Sequence, residues 1–261
     1  MLVLLSPAKN MNFEQRGVPV RPTKPLLQKQ ANALAEVMRR QTARDLSRLM
    51  GISDKLAELN TARFQAFEPS PKADLTHPAI FAFNGDVYQG LEAHSLSEDD
   101  IAYAQEHLRI LSGLYGVLRP LDAIQPYRLE MGTKLLTERG SNLYEYWGDA
   151  PAKLLRKDLK KQKAPIVVNL ASDEYFSVID KKALNAPIIT PSFKEVKDGK
   201  ARALSFYLKR ARGMMAKWII QNRIETPEEL KKFKAGGYRF DAKASSSDKL
   251  VFYRPQPKPK K

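Results

Sequence analysis

A chain of 261 residues with 43% hydrophobic and 28% charged residues has the composition of a globular protein large enough for a sizeable core. It contains no cysteine, which excludes a disulfide framework, a thiolate metal site and a cysteine nucleophile. With 44 Lys and Arg against 29 Asp and Glu its formal charge is +15, and no apolar run approaches the roughly 18 residues of a membrane span. The excess charge is uneven. Residues 1–150 carry 17 basic and 18 acidic side chains, residues 151–193 carry 8 and 4, and residues 194–261 carry 19 and 7. An anionic partner is the natural inference, against the plainer reading of a solvated basic surface with a flexible tail. The expected location is the cytoplasm, because the apolar run at residues 2–5 is too short for a secretory leader.

In chain order, residues 2–5 read as a buried strand stopped by Ser6-Pro7, and a proline-rich loop leads to a helix over residues 26–40. Shorter helices follow at 43–50 and 54–64, with Gly51 suited to close the first and Ser53 to cap the second. Residues 79–83 read as a strand or extended segment. Residues 97–111 read as an amphipathic helix capped by Ser97, with Glu98, Asp99 and Asp100 at its positive end. A basic helix is expected at 153–161 and a buried strand at 166–170. Strands at 188–193 and 201–204 suit a hairpin around Asp198-Gly199. A long helix over 206–223 precedes strands at 237–241 and 250–254, and residues 255–261 read as a disordered basic tail. Helices and strands mix without regular βαβ alternation. The expected fold is therefore α+β: a single compact domain over residues 1–254, with a mixed sheet surrounded by helices.

Leu111-Ser112-Gly113-Leu114-Tyr115-Gly116 has the spacing of a helix-hairpin-helix turn after a capped helix. There, backbone N–H groups of Gly113 and Gly116 would face a phosphate without reading any base. Pro120 argues against a second regular helix, and a plain glycine-capped turn stands level with the binding reading. The later helix clusters Lys209, Arg210 and Arg212, and suits a cationic edge on a phosphate backbone or, equally, a solvated face. Arg119-Pro120-Leu121-Asp122 with Tyr127-Arg128-Leu129-Glu130 favours a structural ion-pair network over a polar pocket. Ser172-Asp173-Glu174-Tyr175 follows a buried strand, where α/β proteins place site residues, though Ser172 could simply cap a helix. Gly85 to Gly90 lacks the Lys-Ser/Thr of a P-loop, and the three histidines have no metal-ligand spacing. No metal or cofactor is expected.

Several of these segments, taken in order, resemble the bacterial YaaA family of peroxide stress proteins. They include Ser6-Pro7-Ala8-Lys9, Phe83-Asn84-Gly85-Asp86-Val87-Tyr88, the run from Leu111 through Gly132, Tyr146-Trp147-Gly148-Asp149, Val168 through Phe176, and Ala211-Arg212-Gly213-Met214. The resemblance implies a family-specific α+β fold carrying a helix-hairpin-helix element beside a positive cleft. It implies binding to duplex DNA, with a liking for distorted or bubble-containing forms, and a link to iron homeostasis that limits oxidative damage. It carries over no catalytic residue. The expected DNA contacts are Gly113, Gly116, Arg119, Arg128, Lys209, Arg210 and Arg212, largely independent of base sequence, on a protein expected to be a monomer. The rival reading is an enzyme of lyase or glycosidase type acting on a nucleobase or nucleotide. Its polar pocket would hold Lys9, Asp86, Glu130, Ser172, Asp173 and Glu174. A third, a stress scaffold that binds only proteins, requires no DNA binding at all.

Overall fold

The computed structural model describes residues 1–14 and 18–257; the end of the expected basic tail, residues 258–261, lies outside the described residues. The chain opens with β1 (Leu2–Leu5), then α1 (Gln28–Arg39), α2 (Ala43–Met50) and α3 (Asp54–Gln65). Thr42 and Asp45 form a capping box on α2, and Gly51 ends it in the left-handed region that glycine favours. Next come β2 (His77–Pro78), α4 (Ala79–Ala82), α5 (Asp86–Leu91), α6 (Glu98–His107), β3 (Leu108–Ser112), β4 (Gly116–Leu118) and β5 (Ala123–Ile124). The second half supplies α7 (Leu143–Trp147), α8 (Ala150–Leu159), β6 (Val167–Asn169), α9 (Asp173–Phe176) and α10 (Lys181–Leu184). It ends with β7 (Ile188–Lys197), β8 (Lys200–Arg202), α11 (Ser205–Asn222), α12 (Pro227–Leu230), β9 (Arg239–Asp241) and β10 (Lys249–Pro255).

Eight strands form one mixed sheet in the order β4-β3-β1-β6-β7-β10-β9, with β8 paired to β7. The central strands β3, β1, β6, β7 and β10 run parallel, and β4, β8 and β9 join antiparallel. Every residue of β1, β3 and β6 is buried, and β1 is an unbroken apolar run, because both faces of the sheet are covered. From β1 the chain reaches β3 on one side and β6 on the other. The crevice outside the carboxyl end of β1 is thus a topological switch point, a common place for a ligand in a parallel sheet.

Two expectations are corrected here. Residues 79–82 form the short helix α4 rather than a strand. The helix begun at Glu98 stops at His107, and Leu108–Ser112 becomes the strand β3 beside β1. A segment as short as Leu108–Ser112 suits either element, and the waiting strand partner decided between them.

The helix-hairpin-helix turn is corrected as well. Residues 111–118 are wholly buried, and Ser112 pairs with Gly116 across a β3–β4 hairpin. Gly113 carries no side chain because a Cβ would collide with the carbonyl of Leu129, and its own carbonyl accepts from Trp147 Nε1 at 3.0 Å. Gly116 holds φ at 68° with Trp147 and Leu27 packed against it. These glycines serve close packing in the interior.

A second pair of glycines joins helices. Where α5 crosses α11, a Cβ on Gly90 would strike the Arg210 carbonyl and one on Gly213 would strike the Val87 carbonyl. The clash is with backbone, which cannot step aside as a flexible side chain can. Gly213→Ala is therefore expected to lower the unfolding free energy by about 3 kcal/mol, read as a shift of the urea midpoint. An unchanged midpoint would mean that the two helices are free to separate.

Candidate functional site

The strand ends assemble a polar cluster from distant parts of the chain. Ser6, the first residue after β1, accepts a hydrogen bond on Oγ from Ser172 N at 2.9 Å, and the two hydroxyls lie 3.3 Å apart. The Ser6 carbonyl accepts from the Tyr88 hydroxyl of α5 at 3.1 Å. The loop continues beside residues 82–86: Asn84 N donates to Asn10 O at 2.9 Å and Asn12 N to Ala82 O at 2.8 Å. Gly85 abuts Ala8, where an added Cβ would sit 3.0 Å from the alanine Cβ, so Asp86 starts α5 next to this loop.

Glu130 is shared by two cations, Lys9 Nζ at 2.7 Å and Arg128 Nη2 at 3.1 Å. Glu174 Oε1 accepts from Gly132 N at 3.1 Å, and the Glu174 carbonyl accepts from the Tyr144 hydroxyl at 2.9 Å. Of the polar-pocket residues, Lys9 and Glu130 pair directly, Ser172 meets Ser6, and Glu174 meets Gly132, two residues past Glu130; among the described residues no side-chain contact joins Asp86 or Asp173 to these. Ser172 stands at the N-cap position of α9 without a side-chain cap bond, its hydroxyl lying beside Ser6 instead.

Two arginines here are exceptional. The Nε atoms of Arg128 and Arg212 are buried and have no hydrogen-bond partner among the described residues. Burial lowers the Arg212 pKa, and the charge of Asp173 opposes that shift. Arg63 of α3 is likewise pushed down, first by burial and then by the like charge of Arg128. Nothing in the local sequence around Arg63 marks it, because only the packing of α3 brings it to this cluster. Beneath the charges sit three buried tyrosines, Tyr88, Tyr127 and Tyr175. Burial and their mutual proximity push the hydroxyls of Tyr88 and Tyr175 well above the usual phenol range. They remain neutral donors.

The seven expected DNA contacts fall in different places. Gly113 and Gly116 are buried in the β3–β4 hairpin and present no amide to a surface phosphate. Arg128 and Arg212 belong to the polar cluster. Lys209 and Arg210 are exposed on α11. Arg210 lines a groove with Gln89, Met214 and Lys217. Arg119 forks onto the fully buried Asp122, with Nε at 3.1 Å and Nη2 at 2.8 Å, and Thr23 Oγ1 donates to the same carboxylate at 2.7 Å. That pair is a structural network, as favoured for this motif, and it also forms one wall of a groove of about 470 Å³. The opposite wall is α8 and its end, with Lys153, Lys157 and Lys161 spaced four residues apart. Asp158 in its floor is bound to the buried Arg109 at 2.8 Å. Among the described residues no carboxylate pairs with Lys157 or Lys161, no three His, Asp or Glu are grouped as a metal ion requires, and no helix is long and apolar enough to cross a membrane.

Comparison with known proteins gives this geometry a context. The family model for the peroxide stress protein YaaA matches residues 1–244. A UPF0246 protein of Maricaulis maris is 54% identical over 257 residues, covering 98% of this chain and 97% of that protein. One of Phenylobacterium zucineum is 53% identical over 259 residues, covering 99% and 97%. One of Caulobacter vibrioides is 52% identical over 257 residues, covering 98% and 100%.

A buried guanidinium without hydrogen bonds on Nε costs folding energy that an apolar side chain would not. Arg212→Met is expected to raise the unfolding free energy by about 1 kcal/mol, measured by chemical denaturation. A fall of that size instead would make Arg212 a structural anchor.

Proposed function

Since the chain belongs to the YaaA family of peroxide stress proteins, we propose that it acts in the peroxide stress response by holding duplex DNA through its phosphate backbone. The observation that carries this reading is the groove between Arg119 and α8, where Lys153, Lys157 and Lys161 form one row of cations with Asp158 neutralised beneath them. Lys153 keeps a partner in Asp149 at 2.7 Å with both side chains largely exposed, so a phosphate can compete for it at little cost. Such contacts position a backbone and read no base. Preference would then come from DNA shape, and open or distorted duplex offers its phosphates most readily to a groove on one face. Occupying such DNA would shield it from iron-dependent oxidative damage. The protein has no soft thiolate ligand for iron of its own.

A second reading, an enzyme acting on a nucleobase or nucleotide, is favoured by one specific observation: Ser172 meets Ser6 at the switch point of the sheet, and Lys9, three residues past Ser6, pairs with Glu130.

The DNA reading makes a quantitative demand. Four phosphate contacts in the groove give a slope of about −3.5 in log K against log salt. Lys157→Glu with Lys161→Glu is expected to weaken duplex binding at least tenfold and to flatten that slope, measured by fluorescence anisotropy across a potassium chloride series. A salt-independent affinity, or equal affinity in the double variant, would overturn the groove as the interface.

A further inference from the structure

We infer that the cations around Glu130 and the aromatic cavity beside Tyr88 together form a binding site for a nucleoside monophosphate, with the phosphate at Lys9 and Arg128 and the base among Phe83, Asn84 and Gln89. The inference deepens the second reading above. It is independent of the groove beside α8.

The charge count comes first. Lys9 and Arg128 both pair with Glu130, and Arg63 lies close enough to Arg128 to feel its charge. Lys9 and Arg128 share the one carboxylate of Glu130, which leaves one positive charge between them. Farther out, Asp173 faces Arg212, and the Glu174 carboxylate accepts from a backbone amide. A phosphate group can engage the Lys9 ammonium and the Arg128 guanidinium together. The Arg128 guanidinium spends one N–H group on Glu130, while its buried Nε has no partner among the described residues. Since a buried N–H is almost always satisfied, the guanidinium beside Glu130 keeps an unmet donor. A guanidinium edge offers two parallel donors, the geometry that suits phosphate oxygens.

The base position follows from the loop. Three residues beyond Lys9, Asn12 lines a cavity of about 410 Å³, within the range of small-molecule sites. The Cα atoms of residues 9 and 12 can be at most about 10 Å apart. Tyr88 belongs to both regions, since its hydroxyl holds the Ser6 carbonyl while its ring lines the cavity. Phe83 and Tyr88 pair with ring centroids 5.4 Å apart, and Phe81 and His94 pair at 5.1 Å. Asn84 and Gln89 are exposed at the cavity and each carries both a donor and an acceptor. Flat apolar faces with carboxamides at the edge suit a nucleobase, which stacks and is recognised along its hydrogen-bonding edge.

Isothermal titration with inorganic phosphate, deoxyadenosine and deoxyadenosine monophosphate tests the assignment. A 5′-phosphorylated and a 5′-hydroxyl DNA hairpin separate a free nucleotide from a strand end. The monophosphate is expected to bind one per chain, and deoxyadenosine at least tenfold more weakly. Arg128→Gln and the exposed Lys9→Met should each weaken the monophosphate at least tenfold. Asn84→Ala should weaken the monophosphate while leaving inorganic phosphate unchanged. The Lys157→Glu/Lys161→Glu variant should keep nucleotide binding even where it loses duplex DNA, so the two readings fail separately. Binding of only the 5′-phosphorylated hairpin, sensitive to Lys9→Met and Arg128→Gln, would assign the same site to a strand end. No binding of either phosphate-bearing probe, or binding indifferent to both substitutions, would overturn the proposal.

Discussion

The placement of β1 between two parallel neighbours governs this molecule. Because β3, β1 and β6 run the same way and are buried on both faces, the segments that follow them leave at one edge of the sheet. Ser6 and Ser172, separated by 166 residues, therefore meet within hydrogen-bonding distance. The crossing of α5 and α11 at Gly90 and Gly213 completes the arrangement, since only backbone-to-backbone contact lets α5 bring Tyr88 to the Ser6 carbonyl while α11 brings Arg212 to Asp173. A side chain at either glycine would widen that crossing and move both contacts.

The arginines divide by how their charge is met. Arg109, buried beside β1, gives its Nε to Asp158 and its Nη1 to two carbonyls. Arg254 binds Glu195, donates to the Gly236 carbonyl and stacks on Tyr207 and Tyr238. Such groups are satisfied within the fold and serve its architecture. Arg128 and Arg212 retain buried Nε atoms without partners, although full satisfaction is the general rule for buried donors. Arg128 is paired with Glu130 beside Lys9, and Arg212 lies near Asp173, just past the end of β6.

Two cationic surfaces of different character underlie the two proposals. The groove along α8 is open, lined by long exposed lysines, and fits an extended polyanion whose details do not matter. The cluster around Glu130 combines the exposed Lys9 ammonium with the largely buried Arg128 guanidinium, and the Ser6 hydroxyl, on the same loop as Lys9, lies beside that of Ser172. In peroxide stress the first would keep the protein on DNA and the second would engage a nucleotide or strand end produced there.

Much was legible in the amino-acid order because it depends on neighbours a few residues away. The strand 2–5, helix α2 with Gly51 at its end, the hairpin at Asp198-Gly199 and the long helix α11 follow from periodicity, capping and turn chemistry. The polar residues of the Ser6–Lys9 and Ser172–Glu174 segments are visible as groups that follow buried strands. What the order could not decide was the use made of a residue by something remote. Gly113 and Gly116 suit a phosphate-facing turn or a packed hairpin equally, until Leu129 and Trp147 close over them. Residues 108–112 can extend a helix until β1 offers its edge, and Arg63 is an ordinary helix residue until α3 sets it beside Arg128. Local propensity is encoded in short stretches of chain, whereas burial and charge pairing exist only once distant segments share the same space.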